Sequence, residues 1–298
     1  MMKFNSTAPR FVSWLAAAFL AAGCASPGSV ALRDGTLVDN PPSTDFNTSA
    51  NWSPVGVPTG TATMPRNDVF PPSDIIEILR PTTLAAIRQM DGRFVLLMEP
   101  GGDTMLTGEG LIVCCKAGFA IVSSYLTGNV TIGSGAGLGY GVSGGGTIKG
   151  TVTVSGGAFG AGGRELIPSL GTLTVDGSLT AEKEGTVYTT VTPSMTTQFR
   201  VLGAIKALGG STQLLVDVQD MDQSGPARMT VVAATATAGI TGKFASVKTT
   251  SRWYKAEATY TPNSIVVTLT RQTAPRQMSP MELRQNEELR SFARVGKR

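Results

Sequence analysis

The stretch that decides the fold is a threefold repeat in the middle of the chain: Gly128-Asn-Val-Thr-Ile-Gly-Ser-Gly-Ala136, Gly150-Thr-Val-Thr-Val-Ser-Gly-Gly-Ala158 and Gly171-Thr-Leu-Thr-Val-Asp-Gly-Ser-Leu179. The units begin about 22 and about 21 residues apart, a period typical of solenoid proteins. Each unit places a short run of alternating apolar and polar residues between glycines, which is the pattern of a half-buried strand between turns. We therefore predict that each unit forms one strand of a coil, and that equal positions stack about 4.8 Å apart.

Alternate positions of the units are predicted to face opposite ways, because side chains in a strand alternate with period two. The inward columns would then combine Val130, Val152 and Leu173, and next to them Ile132, Val154 and Val175. Thr131, Thr153 and Thr174 would form a threonine ladder on the outer surface. The predicted fold class is all-β: a right-handed parallel β-helix (solenoid) followed by a short C-terminal helix or tail.

Composition favours this architecture and narrows the function. The chain has 36 glycines, 41% hydrophobic residues and only 15% charged residues, which is unlike a disordered chain or a helical bundle. The net charge is +4, and much of the excess positive charge lies in the C-terminal tail. The rest of the chain is therefore close to neutral, and a nucleic-acid partner is not indicated. Histidine is absent. Its absence removes Ser-His-Asp and Cys-His catalysis together with the commonest metal ligand. No cofactor is expected.

The N-terminus has the pattern of an export signal. Lys3 and Arg10 precede the apolar run Phe11-Val-Ser-Trp-Leu-Ala-Ala-Ala-Phe-Leu20, and small residues follow. Ala21-Ala-Gly-Cys24 resembles a bacterial lipobox, which implies a signal peptide at 1–23, lipid attachment at Cys24 and anchoring in the outer membrane. The alternative is an ordinary signal peptide with an incidental cysteine. Residues 24–47 contain Pro and Ser and are interpreted as a tether.

Several further segments resemble the passenger of a bacterial autotransporter, a class of self-secreted surface proteins. Asn51-Trp52-Ser-Pro54 is similar to the opening before the first coils, and Gly171-Thr-Leu-Thr-Val-Asp-Gly-Ser-Leu-Thr180 resembles the passenger-associated repeat. Ile265-Val-Val-Thr-Leu-Thr-Arg271 looks like the end of a passenger. The resemblance covers roughly Asn51 to Arg271 and predicts a β-helix domain at 48–272. It implies an exported surface protein with a passive role in adhesion, surface interaction or structural display.

The chain departs from that family at its C-terminus. Autotransporters end in a membrane β-barrel, and residues 273–298 are too few and do not alternate. Ser279-Pro-Met-Glu282 instead predicts a helix start, and Met281, Leu289, Phe292 and Val295 form a weak apolar stripe on a basic helical tail. A solvated tail is the alternative. A truncated, non-functional passenger also fits this pattern.

One acidic cluster is a candidate metal site. Asp217, Asp220 and Asp222 are oxygen donors at a spacing suited to Ca²⁺, and Arg228 follows them. Some β-helical polysaccharide lyases combine Ca²⁺-bound carboxylates with a basic residue, so a Ca²⁺-assisted carbohydrate-active enzyme is the competing function. The plainer interpretation is an exposed turn between strands.

Three aromatic residues, Trp52, Trp253 and Tyr254, either contact glycan or pack as caps at the ends of the solenoid. The partners expected from the whole sequence are a membrane, through an N-terminal lipid, and components of host, matrix or neighbouring-cell surfaces. The expected location is the outer membrane and cell surface, or the periplasm if the chain is not displayed.

Overall fold

The structure, a computed structural model, describes residues 32–67, 74–91, 94–114, 117–121, 123–133, 141–162, 171–207, 210–273, 277–280 and 283. Within these ranges the chain consists of short strands separated by tight turns. The strands are rich in Val, Ile, Leu and Thr, which favour a pleated and half-buried surface. A single 3₁₀ turn, Ser49–Asn51, lies among the described residues. Cys24 and the predicted signal peptide lie outside the described residues.

The strands of the described chain follow one another in a regular order. They are β1 (Gly35–Leu37), β2 (Trp52–Ser53), β3 (Thr61–Asn67), β4 (Asp74–Ile78), β5 (Thr82–Asp91), β6 (Phe94–Met98), β7 (Thr104–Val113), β8 (Gly118–Ile121), β9 (Tyr125–Thr127), β10 (Val130–Ile132), β11 (Gly141–Gly144), β12 (Thr147–Lys149), β13 (Val152–Ser155), β14 (Ala158–Ala161), β15 (Thr172–Val175), β16 (Leu179–Glu182), β17 (Thr186–Val191), β18 (Gln198–Val201), β19 (Ile205–Ala207), β20 (Gln213–Val218), β21 (Arg228–Ala236), β22 (Ile240–Gly242), β23 (Ser246–Thr249), β24 (Tyr254–Tyr260) and β25 (Ser264–Arg271).

These strands stack in three rows, which we call faces A, B and C in the order in which one coil passes through them. The strands β12, β13 and β14 form such a coil. Face C is the eight-stranded sheet β4-β6-β8-β11-β14-β17-β20-β23. Face B contains β3, the C-terminal halves of β5 and β7, and then β10, β13, β16, β19 and β22. Face A contains the N-terminal halves of β5 and β7, and then β9, β12, β15, β18 and β21. Neighbours within each row pair in parallel, so the predicted all-β solenoid is confirmed.

The inward side chains of the three faces form one continuous apolar core. Phe159 of face C stacks on Phe199 of face A with ring centroids 5.1 Å apart. The columns of faces A and B are built of Val, Ile and Leu that are almost completely buried. Each such side chain contributes about 1.5–3 kcal/mol relative to its exposed state. On the outside of face B, Thr131, Thr153 and Thr180 stack in successive coils. The predicted threonine ladder therefore forms, but with Thr180 as its third member in place of Thr174.

The structure places the third repeat unit in a different face from the first two. Val130 pairs with Val152, as predicted, but Val152 then pairs with Leu179. Leu173 and Thr174 lie on β15 in face A, so their predicted alignment with the column of Val152 is wrong. Faces A and B use the same alternating pattern of Thr with Val or Leu, and periodicity alone cannot distinguish them.

The N-terminal end of the solenoid is closed by residues that precede its first full coil. Trp52 and Phe46 are buried over the end of the core, and the Trp52 indole N–H donates to the Phe46 carbonyl at 2.8 Å. The strand β1 pairs with β3, while Thr44 and Phe46 form backbone hydrogen bonds with Glu77 at the edge of face C. The folded part of the chain therefore begins ahead of the boundary at residue 48 that the sequence suggests.

The C-terminal end is closed by an antiparallel hairpin. β25 pairs antiparallel with β21 on one side and with β24 on the other, so it ends the parallel stacking. The outermost strand β24 carries an exposed ion pair between Lys255 and Glu257, with N and O atoms 2.7 Å apart. Charged side chains on an edge strand oppose pairing with a further chain. After this hairpin, Pro280 and Leu283 are helical, and the Leu283 N–H donates to the Ser279 carbonyl at 3.0 Å, as the predicted helix start requires.

A column of glycines forms the corner between faces A and B. Its members are Gly128, Gly150, Gly177 and Gly203. A Cβ at Gly150 would lie 2.2 Å from the carbonyl oxygen of Gly128, and a Cβ at Gly177 would lie 2.2 Å from that of Gly150. These distances leave no room for a side chain, because each corner rests directly on the backbone of the coil before it.

The glycine column can be tested with two substitutions at the same position of the repeat motif. Gly150→Ala forces the backbone to move, and we expect it to lower the free energy of unfolding by about 1–3 kcal/mol. Gly171→Ala is the matched control, since its Cβ would lie 3.9 Å from the nearest heavy atom. Urea unfolding followed by circular dichroism measures both variants. Equal destabilisation would contradict the steric role of the corner.

Candidate functional site

The structure separates the three predicted acidic ligands by environment. Asp217 lies on β20 at the end of face C and is 1% exposed. Asp220 and Asp222 are exposed in the loop that follows, and Asp220 has a left-handed backbone with φ 53°. Across the described ranges, no three or more His, Cys, Asp or Glu side chains are grouped so that they could hold a metal ion. The predicted candidates therefore do not converge on one site among the described residues.

Asp217 links two neighbouring coils through its carboxylate. Its Oδ1 accepts a hydrogen bond from the Thr250 hydroxyl at 3.0 Å, and its Oδ2 accepts one from the Gln219 amide nitrogen at 2.6 Å. The same Thr250 hydroxyl oxygen accepts the Val218 backbone N–H at 3.0 Å. Because a buried carboxylate is costly unless it is hydrogen-bonded, these contacts give Asp217 a structural role.

Asp222 organises its own loop. Its Oδ1 accepts the Ser224 backbone N–H at 2.7 Å and the Ser224 hydroxyl at 2.6 Å. The hydrogen bond from the Ser224 hydroxyl has the larger effect and the one from the Ser224 backbone N–H the smaller, and together they lower the pKa of Asp222 below its ordinary value. Arg228 lies exposed at the start of β21. The loop thus has the chemistry of an exposed turn, which was the plainer interpretation of the sequence.

Removing the Thr250 hydroxyl tests the structural role of Asp217. We expect Thr250→Val to lower the free energy of unfolding by about 1–3 kcal/mol, because a buried carboxylate loses a donor. Thr153→Val, on the outward ladder of face B, is the matched control and should change it by less than about 0.5 kcal/mol. Thermal and urea unfolding report both values. A neutral Thr250→Val would show that Asp217 does not depend on this hydrogen bond.

Two of the three aromatic candidates pack as caps. Trp52 and Tyr254 are 1% and 0% exposed, at the N-terminal and C-terminal ends respectively. The Tyr254 hydroxyl donates to the Pro226 carbonyl at 3.0 Å, and burial raises the pKa of Tyr254. Trp253 is partly exposed, with the Arg252 guanidinium 5.4 Å from its ring. The alternative of glycan contact is therefore not supported for Trp52 and Tyr254.

Sequence reasoning missed an exposed patch on face A, which we call the Tyr125 patch. It comprises Met105, Tyr125 and Lys149. Met105 and Tyr125 are 48% and 47% exposed, and the Lys149 ammonium lies 4.6 Å from the centre of the Tyr125 ring. An exposed aromatic ring beside a cation is chemistry suited to contact with another molecule. The repeat period of the coils is the sequence signal that could have revealed this patch, because it places residues of successive coils side by side.

Comparisons with known proteins leave the family open. No family model matches this chain, and neither a curated protein nor a solved structure shows significant similarity to it. Within the part of the chain that the structure describes, no helix is long and apolar enough to cross a membrane. The resemblance to autotransporter passengers thus stays a hypothesis, and the β-solenoid fold itself is the firm result.

Proposed function

We propose that the protein is an exported β-solenoid of the cell envelope or cell surface, which acts in surface interaction or structural display without catalysis. Its partners are components of host, matrix or neighbouring-cell surfaces. The export pattern at residues 1–23 and the lipobox-like Cys24 support this location. A lipid on Cys24 would attach the solenoid to a membrane through the segment that precedes it.

One observation carries the proposal. The solenoid is closed at both ends, and the outward side chains of its faces differ in chemistry. Apolar inward columns stabilise the stack, so the outward positions of faces A and B are free to carry contact residues. The threonine ladder around Thr153 gives face B a flat hydroxyl surface, and the Tyr125 patch gives face A an aromatic ring and a cation. Broad surfaces of this kind suit binding to extended partners.

The location can be tested in cells that produce the full chain. We expect the protein in the membrane fraction, and we expect Cys24→Ala to release it. Protease added to intact cells should then digest the solenoid from outside. Protection until the outer membrane is breached would indicate a periplasmic scaffold, and a cytoplasmic protein would refute the proposal.

The contact role can be tested in the same cells. Replacing Tyr125 and Lys149 by Ala should reduce adhesion to matrix-coated or cell-coated surfaces at least about threefold, since exposed aromatic and cationic residues carry much of a binding energy. Thr259→Ala, at an exposed position of β24 outside the Tyr125 patch and the threonine ladder, is the matched control for surface expression. Unchanged adhesion would remove the Tyr125 patch from the contact surface.

The competing function, a Ca²⁺-assisted carbohydrate-active enzyme, makes an opposite prediction. We expect millimolar Ca²⁺ to leave the Tm of the purified chain unchanged relative to EDTA, because Asp217 is buried apart from the exposed Asp220 and Asp222. A ligand that binds the folded state at a concentration well above its Kd raises Tm. A Ca²⁺-dependent rise in Tm that is lost in Asp220→Ala would favour the enzyme.

A further inference from the structure

The hairpin that closes the core at the C-terminal end has one unpaired edge. Its strand β24 pairs with β25 on one side, and no strand of the described chain pairs with its other side. With seven residues, β24 is the longest described strand that has a single partner. At the N-terminal end, by contrast, β1 covers the edge of β3, and the backbone of Thr44 and Phe46 covers the edge of β4.

The hydrogen bonds at the two ends of the hairpin show which backbone groups face the open edge. The Gln272 N–H donates to the Trp253 carbonyl at 2.8 Å, and the Thr261 N–H donates to the Ser264 carbonyl at 2.9 Å. In an antiparallel pair, residues that bond to the neighbouring strand alternate with residues whose backbone groups point the other way. The odd-numbered residues of β24 therefore bond to β25. The residues whose N–H and C=O groups face the open edge are Tyr254, Ala256, Ala258 and Tyr260.

This edge has the backbone geometry of a docking site for a further strand. No backbone hydrogen bond from a described residue occupies it. The strand contains no proline, and it pairs with β25 over its whole length in one register without a bulge. Proline and bulges are the usual devices that prevent pairing at an edge, and a regular row of unpaired N–H and C=O groups is a template for another strand.

The charges on β24 select a second copy of the same strand. When two copies pair antiparallel about an axis through Ala256, Lys255 of each copy lies opposite Glu257 of the other. These are positions without interstrand hydrogen bonds, where the Cα atoms are closest, about 4.5 Å apart. Lys255 and Glu257 already form an ion pair within one chain, and their side chains are 63% and 65% exposed. Two copies would thus bring four alternating charges together, and each opposite-charge pair across strands contributes about 0.2–1 kcal/mol.

The neighbouring symmetric alignments lack this complementarity. An axis through Glu257 would set the two Glu257 carboxylates directly opposite each other, which is destabilising. An axis through Ala258 would set Glu257 opposite Thr259, so no opposite charges would meet across the strands. The charged side chains therefore oppose pairing with most chains and permit one symmetric alignment with a second copy.

We propose that β24 is an interface between two copies of this chain, which pair antiparallel through their open edges in the register that sets Lys255 against Glu257. The twofold axis lies perpendicular to the sheet, so the outer sides of the two sheets face the same way. About six backbone hydrogen bonds over a small contact area make a weak dimer. The inference depends on the edge of β24 alone and holds whether or not the protein functions in adhesion.

Sedimentation analysis of the full chain tests the register through complementary charge variants. We expect the wild type to dimerise as its concentration rises from about 10 µM to about 1 mM. Lys255→Glu and Glu257→Lys each set like charges opposite one another, and each should weaken dimerisation at least about tenfold. An equal mixture of the two variants should associate about as well as the wild type. Lys206→Glu, at an exposed position of β19 in face B, is the matched control and should dimerise normally.

A further variant tests the backbone hydrogen bonds at the edge. Ala258→Pro removes an N–H that faces the open edge and leaves the hydrogen bonds to β25 in place. We expect it to abolish dimerisation while circular dichroism shows a folded protein. If Ala258→Pro fails to fold, the charge variants decide the question, because the side chains that they change are exposed.

Three results would overturn the proposal. A wild type that stays monomeric up to about 1 mM would leave the open edge to a strand of another protein. Dimerisation that survives Ala258→Pro in a folded protein would place the interface elsewhere on the chain. A mixture of Lys255→Glu and Glu257→Lys that associates no better than either variant alone would exclude the register.

Discussion

The structure depends on one steric constraint, the direct contact of backbone on backbone at the corner between faces A and B. Gly150, Gly177 and Gly203 each lie against the preceding glycine of the column at a distance that excludes a Cβ, and Gly128 lies against Leu106 in the coil below in the same way. Parallel hydrogen bonds space consecutive coils about 4.8 Å apart, and at that spacing these corner positions have room only for glycine, which favours one alignment of the coils. The inward columns and the outward threonine ladder follow from that register.

The constraint acts at one corner, and the rest of the coil adapts around it. From the inward residue of face A to that of face B the chain takes four residues in coil after coil, from Leu126 to Val130 and from Val201 to Ile205. The full coil is far less regular: Val152 to Leu179 takes 27 residues, but Ile205 to Ile240 takes 35. Extra residues are accommodated at the other corners, where loops lie on the surface. The column ends at Ala238, next to Gly239 with φ 91°, in the coil that leads into the closing hairpin.

This asymmetry explains what the sequence could and could not predict. The glycine corner repeats at short range, so the solenoid, the pairing of Val130 with Val152 and the outward side of Thr153 could be predicted from residues alone. The third unit, at Leu173, was assigned to the wrong face because faces A and B carry the same alternation and the longer coil shifted the period. The environment of Asp217 could not be predicted either. Its burial depends on Thr250 and Gln219, and the former lies 33 residues away in a coil whose register the sequence does not reveal.

The three faces therefore stand under different physical demands, although one chain threads through all of them in each coil. Inward positions must be apolar on every face, and outward positions are constrained only by what covers them. On faces A and B the cover is solvent, which permits threonine ladders, an exposed ring at Tyr125 and scattered cations. On face C the outward residues of the central strands shrink to Gly, Ala and Ser between Leu97 and Tyr188, and the outward Leu97, Ala120 and Ala158 are buried. Under the proposed contact role, a solenoid built in this way separates stability from recognition. Outward substitutions on faces A and B leave the core undisturbed, whereas outward substitutions on face C fall on buried side chains.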